Sequence, residues 1–373
     1  MRALMTVCFF GMALAHLIDL NSLRYIIIVA VTALILITGR KVFLTSSWWY
    51  NIGSAMVIIG SAVPSFMHGD LLAYAYVLFG ILNFFLYPGF QKIELTNAHL
   101  AVIFTGLSIT LIPLGVGDRL SSIYGNPNNY SAVAFSTMYF GMLLFRKQFM
   151  AQLGVLAVFF LLIFLGASRS MLGALALFAA LYIGQRWILH TIFRKAFILA
   201  FAVFAFGYYT LITNDQFKLM ETIQANTLSH KKDRGLSHRD ELFNYSLDIV
   251  EQQPEGVGLG MSKLALKDYY GEKISPHSTY LKVLVEGGWV SLAGFMVLML
   301  GFLWTSSSPL ASSFIFAMLV RGFFESATPF SLSLVSAMLI VPMFLNEHSI
   351  VPGARWRMRV GKAPLTGLEN AKP

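Results

Sequence analysis

A succession of long apolar runs constrains this chain more than any other feature of its sequence. A run of about 20 apolar residues is long enough to cross the hydrocarbon core of a bilayer as an α-helix. A helix satisfies its backbone hydrogen-bonding groups internally, so apolar runs of this kind predict membrane-spanning helices. They fall near Ala3–Ile18, Leu23–Thr38, Trp48–Val63, Leu71–Leu86, Ala98–Leu114, Tyr130–Phe145, Leu153–Leu165, Met171–Gly184, Ala196–Ile212, Ser278–Trp304, Ser312–Phe324 and Ser331–Leu345. The sequence therefore predicts an all-α fold, a polytopic bundle of about twelve transmembrane helices.

The composition agrees with this class and excludes others. Of the 373 residues, 57% are hydrophobic and only 12% are charged, whereas a soluble domain carries about 25% charged residues. The net charge of +9 fits basic cytoplasmic loops and contact with anionic membrane lipid better than nucleic acid. A single cysteine, Cys8, excludes an intramolecular disulfide, and no cluster has the spacing of metal ligands. No metal, cofactor or nucleic-acid partner is therefore expected.

Basic residues alternate between the short loops, and this alternation predicts the orientation of the chain, since cytoplasmic loops are enriched in Lys and Arg. With a cytoplasmic N-terminus, the loops after even-numbered spans carry Arg40, Lys41, Lys92, Arg146, Lys147, Arg186, Arg194 and Lys195. The chain then divides into nine spans in 1–212, a large periplasmic loop in 213–277, three spans in 278–345 and a basic tail in 346–373. Both termini are expected in the cytoplasm.

The large external loop contains a helix with a clear start and a clear stop. Ser237 precedes Asp240 by three residues, which is a capping-box pattern, and Pro254 with Gly256 ends the helix. Its predicted apolar face consists of Leu242, Phe243, Leu247 and Val250. Arg239 falls in the first turn. It is either a solvent-exposed arginine or, together with the helix N-terminus, an anion site suited to phosphate.

Two further residues at the external face have an ordinary and a functional interpretation. Arg169, in Ala167-Ser168-Arg169-Ser170, either snorkels at the bilayer edge or adds a second phosphate clamp beside Arg239. His277, at the start of the span Ser278–Trp304, is either a polar anchor or a proton acceptor, because a helix N-terminus favours the neutral ring. Position alone leaves both interpretations open for each residue.

Other polar and glycine-rich segments are interpreted structurally. The glycines of Gly256–Gly260 predict a tight turn, because no strand precedes them as in a dinucleotide-binding loop. The segment Asn126-Pro127-Asn128 is a strong turn former. Arg321 and Glu325, four residues apart, are expected to neutralise one another across a helical turn. Glu286 is expected to be at risk of burial within its span.

The order of these motifs resembles the O-antigen ligase and O-antigen polymerase superfamily, integral-membrane glycosyltransferases with a large periplasmic loop. The resembling blocks are Tyr124-Gly125-Asn126-Pro127-Asn128, Ala167-Ser168-Arg169-Ser170-Met171-Leu172-Gly173-Ala174, Ser237-His238-Arg239, Pro254-Glu255-Gly256-Val257-Gly258-Leu259-Gly260, His277-Ser278-Thr279-Tyr280-Leu281 and Glu286-Gly287-Gly288. Two residues depart from the pattern. Ser278 follows the histidine where asparagine is common, and Phe243 stands where many relatives have tryptophan.

The resemblance implies a metal-independent, inverting transfer of glycan from undecaprenyl diphosphate to an acceptor hydroxyl at the periplasmic face of the bacterial inner membrane. In that family two arginines hold the donor diphosphate and a histidine lies beside the acceptor. The matching residues here are Arg169, Arg239 and His277. The acceptor is another lipid-linked repeat unit for a polymerase, or lipid A–core for a ligase. Polysaccharide assembly proteins are further expected partners.

Two other classes of function remain as alternatives. In a lipid-linked oligosaccharide flippase or polysaccharide transporter, the same arginines line a passage. Transporters often have inverted repeats and paired broken helices near the bilayer midplane, and the sequence contains no such symmetry. A structural scaffold for polysaccharide assembly is the third class, and a scaffold tolerates the loss of Arg169, Arg239 and His277.

Overall fold

The computed structural model describes residues 47–68, 74, 77, 96–112, 127–166, 168–187, 239–271, 275–306 and 308–326. All regular secondary structure in these ranges is α-helical, in agreement with the predicted all-α fold. The helices are α1 (Trp48–His68), α2 (Asn97–Thr110), α3 (Pro127–Leu144), α4 (Phe149–Leu165), α5 (Arg169–Trp187), α6 (Arg239–Gln252), α7 (Ser262–Tyr270), α8 (Thr279–Thr305) and α9 (Pro309–Arg321). The predicted spans Ala3–Ile18, Leu23–Thr38, Ala196–Ile212 and Ser331–Leu345, nearly all of Leu71–Leu86, and the tail 346–373 lie outside the described residues.

Seven of the predicted spans coincide with helices of the structure, namely α1, α2, α3, α4, α5, α8 and α9. Within the described ranges, two stretches are long and apolar enough to cross a membrane, Trp48–Met67 and Thr279–Thr305. Helices α2, α4, α5 and α9 are apolar but shorter. These helices agree with a membrane protein, and the total of about twelve spans stays a prediction.

Helix α3 forms the centre of the bundle. Every residue from 130 to 143 is buried, and Phe135 stacks on Phe314 of α9 with ring centroids 5.0 Å apart. The Thr137 hydroxyl donates to the carbonyl of Val133 at 2.8 Å, so this buried polar side chain is satisfied within its own helix. A helix buried on all sides is typical of the core of a large protein or a membrane bundle.

Large apolar side chains are exposed on the outer surface of the bundle. On α4 they are Met150, Val158, Phe160, Leu161, Phe164 and Leu165. An apolar surface of this extent is unfavourable in water and is typical of a face that contacts lipid or another protein. Helix α4 therefore has the surface expected of a lipid-facing helix.

Small residues bring α1 and α8 into close contact. A Cβ atom added at Gly53 would lie 2.8 Å from the carbonyl oxygen of Gly294, and one added at Gly60 would lie 2.9 Å from the carbonyl oxygen of Gly287. The hydroxyl of Ser291 on α8 donates to the carbonyl of Val57 on α1 at 3.0 Å. Small residues of this kind allow two membrane helices to approach closely enough for backbone packing and interhelical hydrogen bonds.

Helices α5 and α9 pack antiparallel, which defines two ends of the bundle. At one end, Gln185 donates to Ser313 at 3.1 Å and accepts from Ser312 at 2.9 Å. At the other, the Ser170 hydroxyl donates to the Glu325 carboxylate at 3.4 Å. We name these the Gln185 end and the Glu325 end. The Glu325 end holds residues predicted to be external.

We expect Gly60→Ala to lower the thermal melting temperature of the detergent-solubilised protein. The added methyl group overlaps the α8 backbone, and overpacking of this kind costs about 1–3 kcal/mol. Gly106→Ala on α2 is the matched control, because a Cβ atom at Gly106 meets nothing within 4 Å. Equal melting temperatures for the two variants would contradict the close contact between α1 and α8.

Candidate functional site

Glu325 joins the first turns of two helices at the Glu325 end of the bundle. Its Oε1 atom accepts a hydrogen bond from Asn128 Nδ2 at 3.1 Å and one from Ser170 Oγ at 3.4 Å. Asn128 belongs to the first turn of α3 and Ser170 to the first turn of α5. Two of the sequence motifs, Asn126-Pro127-Asn128 and Ala167-Ser168-Arg169-Ser170, are therefore held by one carboxylate oxygen.

The segment around His277 is bound to the same place. Thr279 Oγ1 donates to the carbonyl of Glu325 at 2.8 Å, and Thr279 N donates to the carbonyl of Gly322 at 2.7 Å. Ser278 is the N-cap of α8, and its hydroxyl also donates to the Gly322 carbonyl at 3.3 Å. His277, which is half-buried, thus directly precedes a helix cap, as the sequence predicts.

Each of the two predicted arginines is the first residue of a helix, and the structure describes the side chain of Arg169 only. Arg169 is the first residue of α5, and its side chain is exposed. Arg169 directly precedes Ser170, whose hydroxyl donates to the Glu325 carboxylate. His277 lies two residues before Thr279, whose hydroxyl donates to the Glu325 carbonyl. Arg239 is the first residue of α6, and the position of its side chain stays a prediction.

Arg321 is a buried charge next to this cluster. Its side chain is 3% exposed, and it is stabilised electrostatically by Glu325. Within the part of the chain that the structure describes, the Nε and Nη1 atoms of Arg321 have no hydrogen-bond partner. Glu325 therefore does more than neutralise Arg321, because its carboxylate also binds Asn128 and Ser170.

Helix α6 forms as the sequence predicts, although its buried face is different. It spans Arg239–Gln252, and the proposed capping residue Ser237 lies outside the described residues. The buried side chains are Leu242, Ser246, Ile249 and Val250, whereas Phe243 and Leu247 are half-buried. The predicted face was therefore partly wrong, because the buried stripe follows the spacing i, i+4, i+7 and i+8 through Ser246 and Ile249.

The Gly256–Gly260 segment is a turn, as predicted, and it also docks on α8. Val257 N donates to the carbonyl of Val285, and Gly258 N donates to the carbonyl of Glu286, each at 2.9 Å. Gly256, Gly258 and Gly260 all have positive φ, between 80° and 102°. Glycine tolerates these angles at no steric cost, so the loop can bring its backbone against the helix.

Helix α8 is broken at Gly287 and Gly288, although the apolar run Ser278–Trp304 predicted one uninterrupted span. Gly288 has φ 62° and ψ −167°, and neither glycine has helical angles. At this break the carbonyls of Val285 and Glu286 accept hydrogen bonds from the docked loop, and such partners satisfy carbonyls at a helix end or kink. The Gly-Gly pair within an apolar run was the signal, since such pairs are frequent at kinks.

The buried carboxylate of Glu286 is satisfied at the same break. It is 1% exposed, accepts from the Ser262 hydroxyl of α7 at 2.7 Å and lies 3.9 Å from Lys282 Nζ. The expectation that Glu286 is at risk of burial is confirmed. Its partners show why burial is tolerated, because a buried charge needs both a counter-charge and hydrogen bonds.

Aromatic side chains join α6 and α7. The rings of Tyr245 and Tyr270 stack with centroids 3.8 Å apart, and the Tyr270 hydroxyl donates to Asp248 Oδ2 at 2.9 Å. Burial, and then this hydrogen bond to Asp248, raise the pKa of Tyr270 above its ordinary value. Gln253 Nε2 donates to the Tyr269 hydroxyl at 2.9 Å. The two helices form one unit beside the glycine loop.

Comparison with known proteins is informative for the middle of the chain. Residues 153–296 match the family model described as O-antigen ligase, and this segment includes Arg169, Arg239 and His277. No curated protein matches the chain, and no solved structure matches it. The family is membrane-integral, and its members are glycosyltransferase-like enzymes. The resemblance seen in the motifs is thereby confirmed for residues 153–296.

We expect Gly288→Ala to release the glycine loop from α8. The φ/ψ angles of Gly288 are open almost exclusively to glycine, and an added Cβ atom would overlap the carbonyl oxygen of Pro254. Limited proteolysis should then cut between α6 and α7, and the melting temperature should fall.

Gly271→Ala is the matched control for this variant. Gly271 also has positive φ, 75°, but a Cβ atom there meets nothing within 4 Å. Gly271→Ala therefore introduces the same kind of backbone strain but leaves the contact between the glycine loop and α8 intact. Identical proteolysis patterns for the two variants would show that the loop does not depend on this contact.

Proposed function

We propose that this chain is a membrane glycosyltransferase that moves glycan from undecaprenyl diphosphate to an acceptor hydroxyl at the periplasmic face of the bacterial inner membrane. The observation that carries the proposal is the match of residues 153–296 to the O-antigen ligase family, because Arg169, Arg239 and His277 all fall within it. Their surroundings support the same chemistry.

Helix N-termini provide the first support. Arg169 and Arg239 are the first residues of α5 and α6, and His277 directly precedes the N-cap of α8. The N-terminus of a helix carries a partial positive charge and unsatisfied N–H groups, which bind anions. Each arginine thus adds a guanidinium to a site that already favours a diphosphate.

The arginines stabilise the leaving group. As the bond between the anomeric carbon and the phosphate oxygen breaks, negative charge develops on the diphosphate. Guanidinium groups bind phosphate oxygens in a bidentate manner and stabilise that charge without a metal ion. Lysine presents a point charge and lacks this geometry, so the two arginines are not interchangeable with lysine.

His277 activates the acceptor. The hydroxyl oxygen attacks the anomeric carbon from the face opposite the diphosphate, which inverts the configuration at that carbon. The neutral imidazole of His277 accepts the hydroxyl proton, and the positive end of α8 favours the neutral ring before the reaction. The proton is then released, and undecaprenyl diphosphate leaves.

The acceptor distinguishes a polymerase from a ligase. A polymerase extends another lipid-linked repeat unit, whereas a ligase transfers the glycan to lipid A–core or a related acceptor. We propose the polymerase.

We expect Arg169→Lys, Arg239→Lys and His277→Ala each to lower glycan assembly in cells by about 100-fold or more, since general acid–base and charge-stabilising groups each contribute on this order. Glycan is resolved on gels, and the amount of each protein in the membrane is measured in parallel. Arg146→Lys is the control, because Arg146 bonds Asn97 away from the Glu325 end. Normal glycan at a normal protein level for any of the three variants would contradict the role assigned to that residue.

A second experiment identifies the acceptor and distinguishes glycan transfer from transport of the donor. Purified protein receives undecaprenyl-diphosphate-linked repeat units, alone or with lipid A–core, and the products are separated by size. We expect a ladder of lipid-linked glycans without lipid A–core. Transfer only after lipid A–core is added would identify a ligase. Movement of labelled donor across vesicles with no product in either reaction would favour the flippase.

A further inference from the structure

We propose that Glu325 is a positioning residue that sets the distance between the donor-binding and acceptor-activating parts of this site. The inference rests on the proposed function and extends it to a residue outside the segment 153–296 that matches the ligase family. Glu325 is 7% exposed. It acts through its neighbours and does not touch the substrate.

The hydrogen bonds of Glu325 reach both halves of the site. Its carboxylate holds Ser170, the residue after Arg169, and also Asn128. Its backbone carbonyl holds Thr279, two residues after His277. One residue thus connects the helix start that carries the diphosphate clamp with the helix start that carries the proton acceptor.

Arg321 explains how the buried carboxylate of Glu325 can hold Asn128 and Ser170. A buried carboxylate without a counter-charge would take up a proton and lose much of its capacity to accept hydrogen bonds. Arg321, one helical turn earlier, is also buried and interacts electrostatically with Glu325. Arg321 therefore supplies a counter-charge beside the carboxylate, whose Oε1 atom accepts hydrogen bonds from both Asn128 and Ser170.

Loss of this connection should impair the reaction more than the binding of the donor. Without the carboxylate, the start of α5 and the segment before α8 lose a common anchor, while Arg169 and Arg239 remain available to the diphosphate. A displacement of about 1 Å between reacting groups is enough to lower a rate by about 100-fold. The maximal rate should fall, and the KM for the donor should change little.

The first test compares Glu325→Ala with Gln185→Ala in the purified full chain. Gln185 is the matched control, because it is a buried side chain that joins α5 to α9 through two hydrogen bonds, at the opposite end of this helix pair from Glu325. The substrates are undecaprenyl-diphosphate-linked repeat units extracted from a strain that lacks this chain. We expect kcat to fall by about 100-fold in Glu325→Ala, with a donor KM close to that of the parent. Gln185→Ala should keep a kcat close to the parent value.

The second test separates hydrogen bonding from charge. In the double variant Arg321→Met/Glu325→Gln, the buried charges are removed together, but the Gln oxygen can still accept from Asn128 and Ser170. We expect this variant to recover most of the kcat that Glu325→Ala loses. Arg321→Met/Glu325→Leu removes both the charges and the acceptor, and it should stay as slow as Glu325→Ala.

The third test reports position without any activity measurement. The hydroxyl oxygens of Ser275 and Ser326 lie 3.2 Å apart, so cysteines at these positions should form a disulfide upon mild oxidation. The background is Cys8→Ser, because Cys8 is the one native cysteine, and disulfide formation is followed by the loss of maleimide-reactive thiols. We expect the disulfide to form about 10-fold more slowly when Glu325→Ala is added, because the two cysteines are then held together less often. A 10-fold change corresponds to about 1.4 kcal/mol. Gln185→Ala should leave the rate unchanged.

The outcomes distinguish the two proposals. If the parent transfers glycan, and Glu325→Ala resembles Gln185→Ala in both kcat and disulfide formation, the positioning role is wrong while the proposed function stands. If the parent transfers no glycan to any acceptor, the proposed function fails, and the positioning role fails with it. Equal activity for the Gln and Leu double variants would also overturn the role of the carboxylate as an acceptor.

Discussion

A buried polar group in a bundle of apolar helices must find its partner within the protein, because hydrocarbon supplies none. This constraint decides where the segments of the chain meet. The Glu325 carboxylate accepts hydrogen bonds from Asn128 and Ser170 and interacts electrostatically with Arg321. Glu286 is bound by Ser262 and Lys282. Each carboxylate therefore fixes helices and loops that apolar packing alone would leave free to slide.

The two clusters lie at the opposite ends of one short helical segment, the part of α8 before its break. Hydrogen bonds to Gly322 and Glu325 hold its start, next to His277. The docked glycine loop and α7 hold its end, at Glu286. The unit of α6 and α7, which begins at Arg239, is thereby joined to the segment that carries His277. A group on the loop and a group on the bundle can keep a constant geometry through this segment.

Local patterns predicted the parts of this structure that depend on local rules. Apolar runs predicted seven of the described helices, and turn signals predicted the end of α6 and the turn at Gly256–Gly260. The Glu325 cluster could not be predicted in this way, because its residues lie at positions 128, 170, 279 and 325 and share no periodicity. The spacing of Arg321 and Glu325 instead indicated a simple local pair. The break in α8 was also missed, because an apolar run predicts the length of a span but not its continuity.

The break in α8 also has a consequence for the depth of the site relative to the bilayer. The stretch from Gly288 to Thr305 contains 18 residues, and at about 1.5 Å per residue it is about 27 Å long, close to the thickness of the hydrocarbon layer. Trp289 and Trp304 are exposed near its two ends, as expected for aromatic side chains that anchor a helix at both interfaces. The exposed Glu255 beside the break requires water there. If this stretch spans the hydrocarbon layer, the segment before the break lies at its edge, which is the depth at which the proposed function requires a lipid-linked diphosphate and a glycan from water to meet.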